Sequence, residues 1–384
     1  MQHRRVRLLL TGVIAGFVVF GPLDALGQDA AQARTELVLS GRTISIEYDS
    51  TLSAAVAAHQ AVLDASAGEQ AEIKLGQLEG HRALRIGPLG AEPGSSPRRG
   101  PRHELWLSRT GTAWVLDARP ISDDGDSAAS EDNDPPPPRM KAQIPLTHVV
   151  RPDETSDTPL VALMPYGDGR GEIALQWGGH YWYTGFEFIE LEATPRPERT
   201  SDVGRATLLT RDSDTSGRWR ATRRGTRNET VLARPTGETI EVWFQKEMGT
   251  DHRDFAGLES VADGEVVLLS GAAALRLRSE VPLRAGDTSI PTDNLVPDFP
   301  GSYSLWLKAV GNGWHLVFNN EPDSWGSQHD PAFDAGEVEL THVHGGPNTE
   351  RPLQVSLVPR RPGEVGMVIH WGQHTWSADF TIER

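Results

Sequence analysis

The strongest constraint in this sequence is that it repeats itself. Leu105-Trp106-Leu107 recurs as Leu305-Trp306-Leu307, and Trp114 recurs as Trp314. Leu146-Thr147-His148-Val149 returns as Leu340-Thr341-His342-Val343, and Trp177-Gly178-Gly179-His180 as Trp371-Gly372-Gln373-His374. Trp182 and Phe186 are matched by Trp376 and Phe380. Upstream, Gly41, Thr43 and Ile44 match Gly237, Thr239 and Ile240, and Ala83-Leu84-Arg85 matches Ala274-Leu275-Arg276. A period of about 200 residues is the length of a whole domain, far beyond the short unit of a solenoid. The chain therefore reads as two diverged tandem domains.

Each copy carries the period of strands. Ile44, Ile46 and Tyr48 alternate with polar neighbours, as do Ile240, Val242 and Phe244, and Ile173, Leu175 and Trp177. Gly111 and Gly311-Asn312-Gly313 each separate a Leu-Trp-Leu run from a Trp-bearing run, which is the layout of a hairpin. The expected fold class is all-β: two tandem, duplicated β-sandwich-like domains with at most a short helix. The helix is expected over Ser53 to Ala65, with Ser53 as its cap. The first copy is placed at 35–192 and the second at 203–384, joined by a linker at 193–202 that carries Pro195 and Pro197. Within the first copy, 122–138 is acidic, ends in Pro135 to Pro138 and reads as a loop insertion that buries no apolar surface.

Residues 1–27 read as a signal peptide: His3, Arg4, Arg5 and Arg7 precede the apolar run Leu8 to Phe20, and Ala25-Leu26-Gly27 supplies small residues for cleavage. A second cleavage position is Ala33. The apolar run falls short of the about 20 residues a bilayer span needs, so no stable span is expected after cleavage. The expected destination is the periplasm or the exterior. The chain has no Cys, which excludes disulfides and a lipid-bearing cysteine. A net charge of -16 speaks against nucleic acid as a partner and for solubility. The basic run Arg218, Arg220, Arg223, Arg224 and Arg227 reads as a solvated hairpin face.

In the second copy, Pro300-Gly301-Ser302-Tyr303-Ser304-Leu305 is followed by Gly313-Trp314-His315-Leu316-Val317-Phe318-Asn319, then Trp325-Gly326, Asp330 and a closing Trp371-Gly372. In order and spacing this resembles the bacterial family known as domain of unknown function 2911, over about residues 236–384. The resemblance implies a β-rich exported module and supplies no reaction. The first copy keeps Trp106, Trp114 and Trp177-Gly178 but has the acidic insertion in place of the Asn319 to Asp330 region.

Two residue groups carry candidate chemistry. His342, His344, His370 and His374, with Asp330 as a further ligand, are candidates for a zinc or copper site, because histidines two or four apart in a strand share a face. Parity complicates this: His342 and His344 continue the side of Val338 and Leu340, whereas His370 and His374 lie opposite Ile369 and Trp371. Trp325 and Trp376 are candidates for stacking on a glycan if they are exposed. Asp323, Asp330 and Asp334 lack calcium-loop spacing. There is no Cys nucleophile, no Gly-x-Ser-x-Gly and no Walker-type loop. The leading expectation is a noncatalytic exported β-domain protein that requires no cofactor and binds an envelope component or glycan. The alternatives are a metal-binding protein or metalloenzyme, and a carbohydrate-binding module.

Overall fold

The structure is a computed structural model describing residues 32–64, 70–90, 102–121, 141–167, 169–189, 227–246, 248–258, 260–269, 275–293, 301–321, 329–345 and 351–383. The signal peptide, the 122–138 insertion, the 193–202 linker, Arg218 to Arg224 and Trp325 lie outside the described residues. Alternation becomes strand throughout. In β1 (Gln32–Leu39) every second residue from Ala33 is buried, and in β11 (Arg227–Ala233) every second residue from Asn228.

The first copy runs β1, β2 (Arg42–Asp49), α1 (Ala57–Asp64), β3 (Gln70–Gly80), β4 (Leu84–Arg85), β5 (Arg102–Thr110), β6 (Ala113–Pro120), β7 (Ala142–Val150), β8 (Ser156–Gly167), β9 (Arg170–Gly178) and β10 (His180–Phe188). The second runs β11, β12 (Thr239–Gln245), α2 (Arg253–Leu258), β13 (Val266–Leu268), β14 (Leu275–Ser279), β15 (Leu283–Ala285), β16 (Thr288–Ile290), β17 (Ser302–Val310), β18 (Gly313–Asn319), β19 (Asp334–His344), β20 (Gln354–Arg361), β21 (Glu364–Trp371) and β22 (His374–Ile382). The fold is all-β, with two short α-helices among the described residues. The expected helix at Ser53 begins at Ala57.

One antiparallel ladder passes through both copies in the order β7-β6-β5-β3-β2-β1-β11-β12-β14-β17-β18-β19. A smaller sheet, β8-β9-β10-β7, closes over the first copy, and β20-β21-β22-β19 closes over the second. In each copy one strand serves both sheets. Residues Ala142 to Leu146 of β7 pair with β6, and Thr147 to Val150 pair with β10. β19 does the same, leaving β18 after Leu340 and joining β22 from Thr341. Such a strand is the corner of a sandwich whose sheets cross. Each copy has its own hydrophobic core, and residues 31–384 form one compact unit.

Candidate functional site

The corner strands position the histidines. Just past the point where β19 changes sheets, His342 pairs with Trp376 and His344 with His374 on β22, while His374 pairs across the hairpin with Trp371 on β21. Paired residues in an antiparallel ladder point to the same face. His342, His344, His374, Trp376 and Trp371 therefore share one face. His342 Nε2 lies 3.1 Å from His374 Nδ1, with the rings parallel at 11°. His374 stacks on Trp376 at 5.1 Å, and the exposed His344 reaches 4.7 Å from the His374 ring. Trp314 meets Trp376 edge-on, and Phe255 of α2 meets Trp371 and His374 edge-on.

His370 does not join them. It sits on the opposite face, because the turn at Gly372 and Gln373 puts His370 and His374 on different strands, where His370 pairs with Thr375 rather than sharing a strand face with His374. The Thr375 hydroxyl lies 2.8 Å from His370 Nδ1, and burial, with Arg351 nearby, pushes the imidazole down to about 4. Asp330 is also elsewhere. Its carboxylate accepts from the Ala332 N–H at 2.9 Å, capping a short 3-10 turn, and its carbonyl accepts from Asn319 Nδ2. That turn precedes β19, and at about 3.3 Å per residue a strand carries His342 some 25 Å further on. The expected five-ligand group is thus corrected to a cluster of three imidazoles. Among the described residues no group of three or more His, Cys, Asp or Glu is arranged to hold a metal ion. Trp376 is also corrected as an exposed stacking platform, since its side chain is 0 % exposed.

The first copy repeats the stack and departs from it in two ways. His148 Nε2 lies 2.9 Å from His180 Nδ1, both rings lie against Trp182, and Trp114 packs on Trp182. Val150 takes the place of His344. A further imidazole, His59 of α1, is buried against Trp177 at 4.1 Å and donates from Nδ1 to the Ala54 carbonyl. The repeat gave no signal for His59, because Phe255 holds the matching seat in the second copy.

Beside this stack the first copy opens a cleft of about 570 Å³, lined by Leu63, Arg109, Trp114, Pro145, His148 and His180 among others. Arg109 donates from Nε to the Gly111 carbonyl at 3.2 Å and from Nη1 to the Leu63 carbonyl, which holds its guanidinium 5.3 Å from the centre of the Trp114 ring. Burial lowers the pKa of His59, His148, His180 and His342, and nearby groups lower three of them further: His180 and Arg109 act on His148, His59 on His180, and His344 on His342. Near neutral pH His148 and His180 are therefore neutral and share one N–H···N bond. Chemically the cleft offers a fixed cation, an aromatic wall and neutral imidazoles. Sequence reading missed Arg109, whose signal was its absence from the repeat: Ala309 stands at the matching position. No family model, no curated protein and no solved structure matches this chain.

Proposed function

We propose that this chain is an exported, noncatalytic binding module of the cell envelope, periplasmic or secreted, whose ligand seat is the cleft of the first copy. The observation that carries the reading is that cleft, an open site of ligand size where Arg109, His148 and His180 line the same space as Trp114. The signal-like N-terminus and the resemblance of residues 236–384 to domain of unknown function 2911 support export and a module role. The test is titration of the purified protein with envelope glycans and small amphiphiles, read by tryptophan fluorescence, since Trp114 lines the cleft. Saturable quenching that is lost in Trp114→Phe supports the reading. A turnover activity abolished by His148→Gln with the fold intact overturns it.

A second reading, metal binding by the second copy, is favoured by the convergence of His342, His344 and His374, three imidazoles of the kind zinc and copper take as ligands. His344 is exposed, with its ring centre 6.3 Å from that of His342 and 4.7 Å from that of His374. Elemental analysis after exposure to zinc or copper, then desalting, decides it. A stoichiometric ion lost in His374→Gln and His344→Ala supports this site, and no retained ion removes it.

A further inference from the structure

The duplication supplies an internal control for the cleft, because the ladder registers match its two versions position by position. Arg109 pairs with Trp114, as Ala309 pairs with Trp314. Trp114 pairs with Leu146 and Val115 with Pro145, as Trp314 pairs with Leu340 and His315 with Glu339. The framework of tryptophans and imidazoles is common to both copies, and the differences fall on the cleft wall. Where the second copy has Ala309, the first has a cation. Where the second has the exposed carboxylate of Glu339, the first has Pro145. Where the second has His315, bonded to Glu337 at 2.7 Å, the first has Val115.

In the Trp114 row the first copy gains a cation, Arg109 for Ala309, and in the neighbouring row Ser108, Val115 and Pro145 stand where the second copy has Lys308, His315 and Glu339, so that row becomes uncharged and Arg109 is the charge left there, in a chain whose overall charge is -16. Arg109 is also fixed in place. Its bonds to the Gly111 and Leu63 carbonyls use two of its five N–H donors, leaving the rest of the fork beyond them. Holding a guanidinium beside a tryptophan face costs nothing extra when a ligand arrives, which is the condition under which a charged hydrogen bond is most effective. His148 and His180, held neutral, add no charge but present ring nitrogens to the same space.

Resting on the cleft as the ligand seat, we infer that it selects an organic anion: an apolar, preferably flat body against Trp114, Leu146 and Pro145, with a carboxylate, sulfonate or phosphate group on Arg109. The same seat in the second copy lacks the cation and carries Glu339, so the preference belongs to the first copy alone.

Two fluorescent probes with the same rings separate the elements of this claim: 8-anilinonaphthalene-1-sulfonate and its uncharged counterpart N-phenyl-1-naphthylamine. Each is titrated into the full chain, with energy transfer from tryptophan as the readout. The expected result is that the sulfonate binds at least about 10-fold tighter than the neutral probe, in line with a charge-assisted hydrogen bond. Arg109→Gln, which keeps an N–H donor for the carbonyls, is expected to erase that preference while leaving the neutral probe bound. Arg109→Ala should do the same if its near-ultraviolet circular dichroism is native. Thr112→Trp, a substitution at an exposed turn position on the cleft rim, should weaken both probes. Equal affinities for the two probes, unchanged in Arg109→Gln, overturn the anion preference and leave the cleft as the seat. Binding of both that is insensitive to Thr112→Trp, or no binding of either, removes the seat itself.

Discussion

Gly76 shows how little room single residues have in this fold. It stands at the bulge where β3 slips against β5, and a Cβ placed on it would lie 2.0 Å from the Glu47 carbonyl oxygen of the neighbouring strand. The nearest atoms are all backbone of Glu47 and Tyr48, which leaves nothing flexible to yield, so Gly76→Ala is expected to cost about 1–3 kcal/mol. Gly90→Ala, where a Cβ meets nothing within 4 Å, is expected to stay within about 0.5 kcal/mol, and paired urea melts compare the two. His370 makes a prediction of a different kind. Burial holds its imidazole at about 4 in the folded chain against 6.5 ordinarily, so above 6.5 both states are neutral and the residue adds no pH dependence. As pH falls through 6.5 the unfolded chain takes up a proton that the folded chain refuses, and stability drops until about pH 4, by on the order of 3 kcal/mol. His370→Gln, the residue found at the matching position 176, should flatten the urea-midpoint profile between pH 6.5 and 4. An unchanged profile would mean that His370 charges freely in the folded protein.

At the scale of elements, strand type and pairing were legible because alternation and repeat pointed the same way. Ile240, Val242 and Phe244 are all buried as their spacing implies, and Leu105 and Leu107 face the core while Trp106 turns away beneath the Arg119 guanidinium. The histidine site was only half legible. Counting four residues from His370 to His374 assumes one continuous strand, whereas Gly372, at φ 58, turns the chain between them and reverses the face. Nothing in the residue pattern shows that β7 and β19 change sheets, and the β7 corner carries Pro145, Leu146 and His148, which line the cleft beside Trp114. Helix α2 was unforeseen because its six residues are too few for a helical period to register. Its match to α1 in space suggests an element-level experiment. His59 and Phe255 fill the same seat beside a Trp-Gly turn, where a Cβ on Gly178 would lie 3.5 Å from His59 and one on Gly372 2.4 Å from Phe255. A phenyl ring is therefore a tolerated occupant. His59→Phe should change stability by less than about 1.5 kcal/mol, whereas His59→Ala, which empties the seat over Trp177, should cost about 2–3 kcal/mol. Thermal melts of the two variants check this, and similar large losses would show that the Nδ1 bond to Ala54, rather than ring volume, holds α1.

At the scale of the whole molecule, the two copies meet as a dimer would, although one chain supplies both. Leu37 pairs with Ile44 as Leu232 pairs with Ile240, which makes Leu232 the counterpart of Leu37, Val231 that of Glu36 and the buried Thr230 that of the buried Thr35. In the β1–β11 ladder Thr35 pairs with Leu232, Leu37 with Thr230, and Glu36 with its own counterpart Val231, so the two strands exchange equivalent contacts about that central pair. That is the self-complementary arrangement of a two-fold interface. The remaining contacts knit the same seam. β8 lies against its counterpart β20, the Thr35 hydroxyl donates to the Val161 carbonyl at 2.8 Å, and Arg351 of the second copy covers the Tyr166 ring of the first at 4.5 Å. Tyr166 in turn donates to the half-buried Glu172 at 2.7 Å, whose pKa burial raises. Tandem domains joined only by a linker unfold independently, but here neither copy can open without exposing the edge of a ladder that the other completes. Scanning calorimetry is therefore expected to show one transition whose calorimetric and van't Hoff enthalpies agree. Val231→Pro, in the middle of β11, removes a ladder N–H and clashes with the strand geometry at a cost of about 3 kcal/mol. That variant should split the endotherm, with the second copy melting first. Two resolved transitions in the unaltered chain would show that the copies unfold separately, and the continuous sheet would then contribute register to the molecule without coupling the stability of one copy to the other.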